Sequence, residues 1–213
     1  MRSDSSNGRR GTGAIITGAL AGALTLTATA CSSSTHAAPA AGASSSHPVA
    51  SHSAAASAAF GSDCGMIPAT GVGSLHGMSM DPVLTAAAHS PLLTTFAADA
   101  KTAGLTADLN TMHAITVFAP ANDAFSKLPA SAMTMMHSRA ELAKILKYHV
   151  VSGRITPAEL ASGKTLITLE GDTIKTSKMG AVYEANTAGI ICGNIRTANA
   201  TVHIINKVLT PMH

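Results

Sequence analysis

The chain has 213 residues, a net charge of +3 with histidine neutral, 12% charged and 3% aromatic residues, and no tryptophan. That length allows one domain or two small ones. Its positive charge is weighted to Arg2, Arg9 and Arg10. The remainder is close to neutral and has no basic stripe, so nucleic acid is not an expected partner. So little charge in an Ala-, Ser- and Thr-rich sequence points to an exported protein.

Arg9 and Arg10, the apolar run 15–26 and Ala28-Thr29-Ala30-Cys31 read as a bacterial secretory signal of the lipoprotein type over 1–30. In that type Cys31 is acylated after cleavage and becomes the new N-terminus. The alternative is a plainly secreted protein with Cys31 unmodified. The apolar run falls short of the roughly 20 residues that a membrane-spanning helix needs. Residues 31–60 are almost all Ala, Ser, Pro, Gly and His. They offer too little apolar surface to order themselves and read as a flexible tether. His36, His47 and His52 within it lack metal-ligand spacing.

Residues 61–213 read as one folded domain. Cys64 opens it and Cys192 lies far along the chain. Two cysteines left over in an exported protein are expected to pair. In the chain-entropy model such a large loop contributes about 4–5 kcal/mol. The alternative, two free thiols or a catalytic cysteine, lacks a Cys-x-x-Cys motif and an activating neighbour. Asp81-Pro82 predicts an N-cap with proline at the first helical position and a helix over 83–88. Ser90-Pro91 predicts another, with Leu92, Leu93, Phe96 and Ala97 on one face and Gly104 at its end.

The stretch Thr116-Val117-Phe118-Ala119-Pro120 predicts a buried strand that stops at Pro120, which has no N–H for the ladder. Asn122 is expected to cap a short helix, with Asp123 at its positive end. Phe118 and Phe125 are expected to bury together at the centre of the core. Pro129 and Ser131 open a Met-rich helical turn. Ser138-x-x-Glu141 and Thr156-x-x-Glu159 read as capping boxes, the first leading a helix that buries Leu142, Ile145 and Leu146. Tyr148-His149-Val150-Val151 reads as strand. Beyond Gly163 the pattern is short strands, with turns at Gly171-Asp172 and Lys178-Met179-Gly180. A last strand over 201–209 is stopped by Pro211. Helices first and strands later predict an α+β domain.

Three pieces now stand in order: 116–125, Tyr148-His149 and 199–209. Together they resemble the fasciclin domain, over about residues 61–213. Met78-Ser79-x-Asp81-Pro82, Phe125-Ser126-Lys127-Leu128-Pro129-Ala130-Ser131, Tyr148-His149-Val150-Val151 and Thr197-Ala198-Asn199-Ala200-Thr201-Val202 resemble the secreted and lipid-anchored immunogenic fasciclin proteins of mycobacteria and relatives. The resemblance implies a β-sandwich or wedge with several short helices around it, outside the cytoplasm, and cysteines paired as Cys64 and Cys192 would be. It also implies cell adhesion or extracellular-matrix contact without general catalytic activity. The final segment departs from the family pattern. Ala200 and Asn206 stand where an Asn-Gly and an Ile-Asp pair are common, so Asn206 lacks the carboxylate of some adhesive motifs.

Tyr148, His149 and Asn206 are the candidate interaction residues. The structural reading of Tyr148-His149 is that alternation buries one and leaves the other to bond a neighbouring strand. His203 could face His149 across strands, but nothing supplies a third metal ligand. His76, Met78 and Met80 form a soft candidate site for Cu(I), to which Met135, Met136 and His137 could add; methionine as packing filler is the alternative. The sequence has no Gly-x-Ser-x-Gly, phosphate-binding glycine loop or His-Glu-x-x-His, so no catalytic residue and no cofactor is expected. The reading is a monomeric, cell-envelope, non-catalytic adhesion or interaction module, held to the membrane by a lipid anchor. Its partner would be an extracellular or envelope protein, a glycan or matrix. The alternative is an extracytoplasmic carrier of a small apolar ligand or of copper.

Overall fold

The computed structural model describes residues 58–211. The expected signal, Cys31 and nearly all of the expected tether lie outside the described residues. A 3-10 turn, Ser62–Met66, is followed by helices α1 (Leu75–Met80), α2 (Val83–His89), α3 (Thr94–Ala103) and α4 (Thr106–Thr111). Strand β1 (Ile115–Pro120) comes next, then α5 (Asn122–Ser126), α6 (Ala130–Met136) and α7 (Arg139–Tyr148). Strand β2 (Val150–Ser152) and α8 (Pro157–Ala161) lead into β3 (Thr165–Ile167), β4 (Thr173–Met179), β5 (Val182–Ala185), β6 (Ala188–Arg196) and β7 (Ala200–Ile205). The domain is α+β. Its strands form one sheet in the order β2-β1-β7-β6-β5-β4-β3, whose two ends meet at a bridge between Val151 and Thr168.

Strand β1 pairs with β7 in parallel over six residues, from Ile115 with Ala200 to Pro120 with Ile205, while β2 pairs antiparallel on its other side. Every residue of β1 and β7 is buried, Thr116, Thr201 and His203 included, as in parallel-paired strands covered on both faces. The period of two still sorts the side chains. Ile115, Val117 and Ala119 join Val202 and Ile204 in a layer under α2, α3, α4 and α7, with Phe96, Leu109 and Leu146. Phe118 and Ile205 face the other way, toward Tyr148, Leu160, Ile174 and Ile190. Phe118 and Phe125 therefore do not bury together. Phe118 belongs to the second layer, and Phe125 is half-buried against the first.

Several helix starts are satisfied from a distance. No side chain at Pro82 or Leu93 caps α2 or α3. Asn199 Oδ1 accepts instead from the Val83 N–H at 2.8 Å, and Asn110 Oδ1 from the Leu84 N–H at 2.9 Å. Asn199 Nδ2 donates to the carbonyls of Leu109 (2.7 Å) and Met112 (2.8 Å). One amide, 4% exposed, thus joins the start of α2 to the end of α4, where unpaired backbone groups would otherwise be buried. Asn122 does the same for α3. It is the first residue of α5 and not its cap; its Oδ1 accepts from the Thr95 N–H (3.0 Å) and its Nδ2 donates to the Pro91 carbonyl (2.8 Å).

Other expectations meet mixed outcomes. Asp81 ends α1 and does not cap α2. Gly104, at φ 79°, closes α3 in the left-handed conformation. Thr156 and Glu159 form a reciprocal capping box, whereas Ser138 makes no side-chain cap and Glu141 pairs with Lys144 at 3.0 Å. Tyr148 is the last residue of α7, so the strand begins only at Val150. Strand β7 ends at Ile205, four residues before Leu209.

Cys64 and Cys192 form a disulfide with Cα atoms 4.9 Å apart and a sequence separation of 128.

Replacing Asn199 with alanine removes the α2 cap and the partners of two α4 carbonyls together. The Asn199→Ala protein should lose about 3 kcal/mol of stability, read as a lower urea midpoint at unchanged m-value. An unchanged midpoint would show that these groups find other partners.

Candidate functional site

Tyr148 and His149 stand where α7 meets β2, and both are 0% exposed. Burial of the pair, and not of one member, follows from the helix running through Tyr148. The Tyr148 hydroxyl donates to the Thr173 carbonyl (3.0 Å) and accepts from Asn186 Nδ2 (2.9 Å). Burial raises its ionisation above the usual phenol range, with the Asn186 bond pulling the other way. His149 Nδ1 donates to the Ile145 carbonyl (2.8 Å), and its Nε2 accepts from the Leu209 N–H (2.9 Å). These partners fix a neutral ring with the proton on Nδ1. Neither side chain presents a surface to a partner arriving from solvent, so both act as positioning residues: Tyr148 holds β4, and His149 holds the segment after β7.

His203, on β7, is also 0% exposed. It does not face His149. Its register partner is Phe118, whose ring lies 5.5 Å away, and the Phe118 N–H bonds the His149 carbonyl at 2.9 Å. His203 Nδ1 accepts from the Asn194 N–H at 3.1 Å, which leaves the proton on Nε2. Burial pushes both imidazoles down to about 4, partly offset by the Ile145 backbone at His149 and the Ile155 backbone at His203.

Asn206 is the one sequence-predicted contact residue that reaches solvent. Its Oδ1 accepts from the Gly189 N–H at 2.9 Å, and the rest of the amide faces an open cleft of about 420 Å³. Asp63, Met66, Leu92, Asn122 and Asp123 wall the cleft with it. It offers carboxylates, the Lys127 ammonium, side-chain amides and apolar groups, a mixture suited to holding a partner's surface. The sequence reading missed Asp63, which no local pattern marks, and Phe60, because composition alone assigns residue 60 to the tether.

The soft-metal set is broken up by α1. His76 and Met80, four residues apart, share an open groove of about 510 Å³ with Val72 and Gly77. Met78 lies on the opposite face and is buried in the core. His76, Met78 and Met80 therefore do not converge. Among the described residues no group of three or more His, Cys, Asp or Glu side chains could hold a metal ion.

A model of the fasciclin domain matches residues 91–211. The chain belongs to the fasciclin family. It is 41% identical over 148 residues to the immunogenic protein MPB70 of Mycobacterium bovis, covering 67% of this chain and 75% of that one. It is 40% identical to the cell surface glycolipoprotein MPB83 of the same species, over 67% of this chain and 66% of that one. Among solved structures, a FAS1 domain pair from the insect cell adhesion molecule Fasciclin I aligns with a TM-score of 0.46 at 19% identity, over 55% of this chain and 45% of that one. No helix among the described residues is long and apolar enough to cross a membrane.

The buried imidazoles make stability depend on pH. An unfolded histidine titrates near 6.5, and these two bind their proton only near 4 when folded, so the unfolded chain takes up more protons between those values. Their contribution is complete above about 6.5 and is lost as pH falls toward 4. Each ring accounts for about 3 kcal/mol across that window. The urea midpoint should already fall between pH 6.5 and 5, above the ordinary carboxylate range, and a midpoint flat over that interval would contradict the assignment.

Proposed function

We propose that the chain is an extracytoplasmic, lipid-anchored interaction module, with a signal over 1–30, a tether over 31–60 and the fasciclin domain over 61–213. Acylated Cys31 holds it to the membrane, and the domain meets an envelope protein, glycan or matrix as a monomer without transforming it. The observation that carries this reading is how the buried polar side chains are used. Tyr148, His149 and Asn199 are bonded to backbone groups or a structural amide, which commits them to the framework. Polar side chains open to solvent, among them Asp63, Asp123 and Lys127, line the cleft around Asn206. Kinship to a cell surface glycolipoprotein supports the envelope location.

A second reading, an apolar-ligand carrier, draws on the groove beside Val72, His76 and Met80. Copper in that groove would have only His76 and Met80 of the three soft ligands.

Two comparisons test the proposal. Metabolic labelling with a fatty-acid probe should mark the wild-type chain and leave Cys31→Ser unlabelled and released into the medium; an unlabelled wild type would contradict the anchor. Capture from envelope extracts should fail with an Asp123→Lys, Asn206→Lys double variant at undiminished thermal stability. Undiminished capture would remove the cleft from the account, and co-purification of a small molecule in native mass spectrometry of protein from its own host would favour the carrier.

A further inference from the structure

Residues 58–66 lie against β6, with a bridge at Phe60 followed by the 3-10 turn Ser62–Met66. Phe60 forms a two-way backbone bridge with Gly193: its N–H donates to the Gly193 carbonyl at 3.1 Å, and its own carbonyl accepts from the Gly193 N–H at 2.6 Å. The Phe60 ring lies 4.5 Å from the Tyr183 ring and 6.2 Å from His203. The seat is shaped for that ring. A Cβ at Gly193 would collide with its edge, and Gly61, at φ 122°, brings the backbone so close to the Ile191 carbonyl that no Cβ fits. Four residues on, the disulfide from Cys64 to Cys192 fastens the segment to the irregular stretch of β6 between Ile190 and Ile195.

The segment thus has one aromatic anchor at an extended bridge and ends in a 3-10 turn, and it is held by two backbone bonds, one ring, the packing of Ala59 and one covalent bond. Partial burial of the Phe60 ring, of Ala59 and of the Cys64 side chain, with two hydrogen bonds, is a small contribution against the entropy of ordering nine residues. The covalent bond supplies the difference.

We propose that residues 58–66 are a latched plug, and that opening the Cys64–Cys192 bond frees the seat for an aromatic residue on an extended segment of another chain. The occupant's chemistry is set by the plug itself: a ring between Tyr183, His203 and Gly193, on a backbone that exchanges two hydrogen bonds with Gly193. This is strand addition at a single register position. The opening reagent is a dithiol. Its thiolate attacks the half-buried sulfur of Cys64, since Cys192 is fully buried. The sulfur–sulfur bond breaks, and Cys192 leaves as a thiolate and takes a proton. The second thiol of the reagent then displaces Cys64, which leaves as a thiol, and the reagent departs as its own disulfide. The inference leans on the interaction-module reading only for the existence of a partner; the exchange experiment below is decided without it.

Hydrogen exchange on the full chain, with and without a dithiol, tests the plug. Reduction should speed exchange of residues 58–66 and of the Gly193 amide more than tenfold, with β1 and β7 unchanged. In the reduced Phe60→Ala chain, a peptide copying residues 58–66 with serine in place of Cys64 should restore protection at Gly193. The same peptide with alanine for its phenylalanine should not. Unchanged exchange at 58–66 on reduction, loss of protection in β1 and β7 together with it, or equal effects of the two peptides would overturn the proposal.

Discussion

The parallel ladder between β1 and β7 is the constraint from which the domain's layout follows. It joins residues about 85 apart in sequence at the middle of the sheet, from Ile115 with Ala200 to Pro120 with Ile205. Because both strands are buried on both faces, one line of side chains serves two cores. The same ladder sets His203 against Phe118, and the Phe118 N–H in turn takes the His149 carbonyl. The three segments that resemble the fasciclin pattern are therefore one physical unit: two strands and the helix end that closes over them.

Around that unit the chain spends polar side chains on backbone ends. Short helices have a large share of unpaired N–H and C=O groups, and α1, α4, α5 and α8 have only five or six residues each. Asparagine answers this repeatedly. Asn199 links α2 to α4, Asn110 supports α2, Asn122 supports α3, and Asn186 ties the Tyr148 hydroxyl to the β4 backbone. His149 plays the same part for Leu209. Side chains engaged in this way are committed to the framework.

How much of this was legible in the sequence varies with the range of the interaction. Local signals read well: the stop of β1 at Pro120, the left-handed Gly104 and the Thr156–Glu159 box depend on neighbours within four residues. Caps supplied from a distance do not read at all. Asn122 looks like a local N-cap and is the cap of a helix nearly thirty residues earlier, while Ser138, which also fits the local pattern, makes no such bond. Tyr148-His149 has the residue types of a strand, but packing of Leu142, Ile145 and Leu146 keeps the helix going to Tyr148. The cleft around Asn206 joins residues from positions 63 to 206, and no window of sequence contains it. Phe60 was hidden by its neighbours, since the alanines and serines before it describe a tether and the ring itself belongs to the fold.

The two buried imidazoles are fixed, neutral parts of the framework. Nitrogen-15 NMR of the histidine side chains reads both tautomer and charge. The expected spectrum has a proton on Nδ1 of His149 and on Nε2 of His203, with neither ring titrating between pH 7.5 and 5.5. A ring that titrates near 6.5, or one that exchanges between tautomers, would refute the assignment.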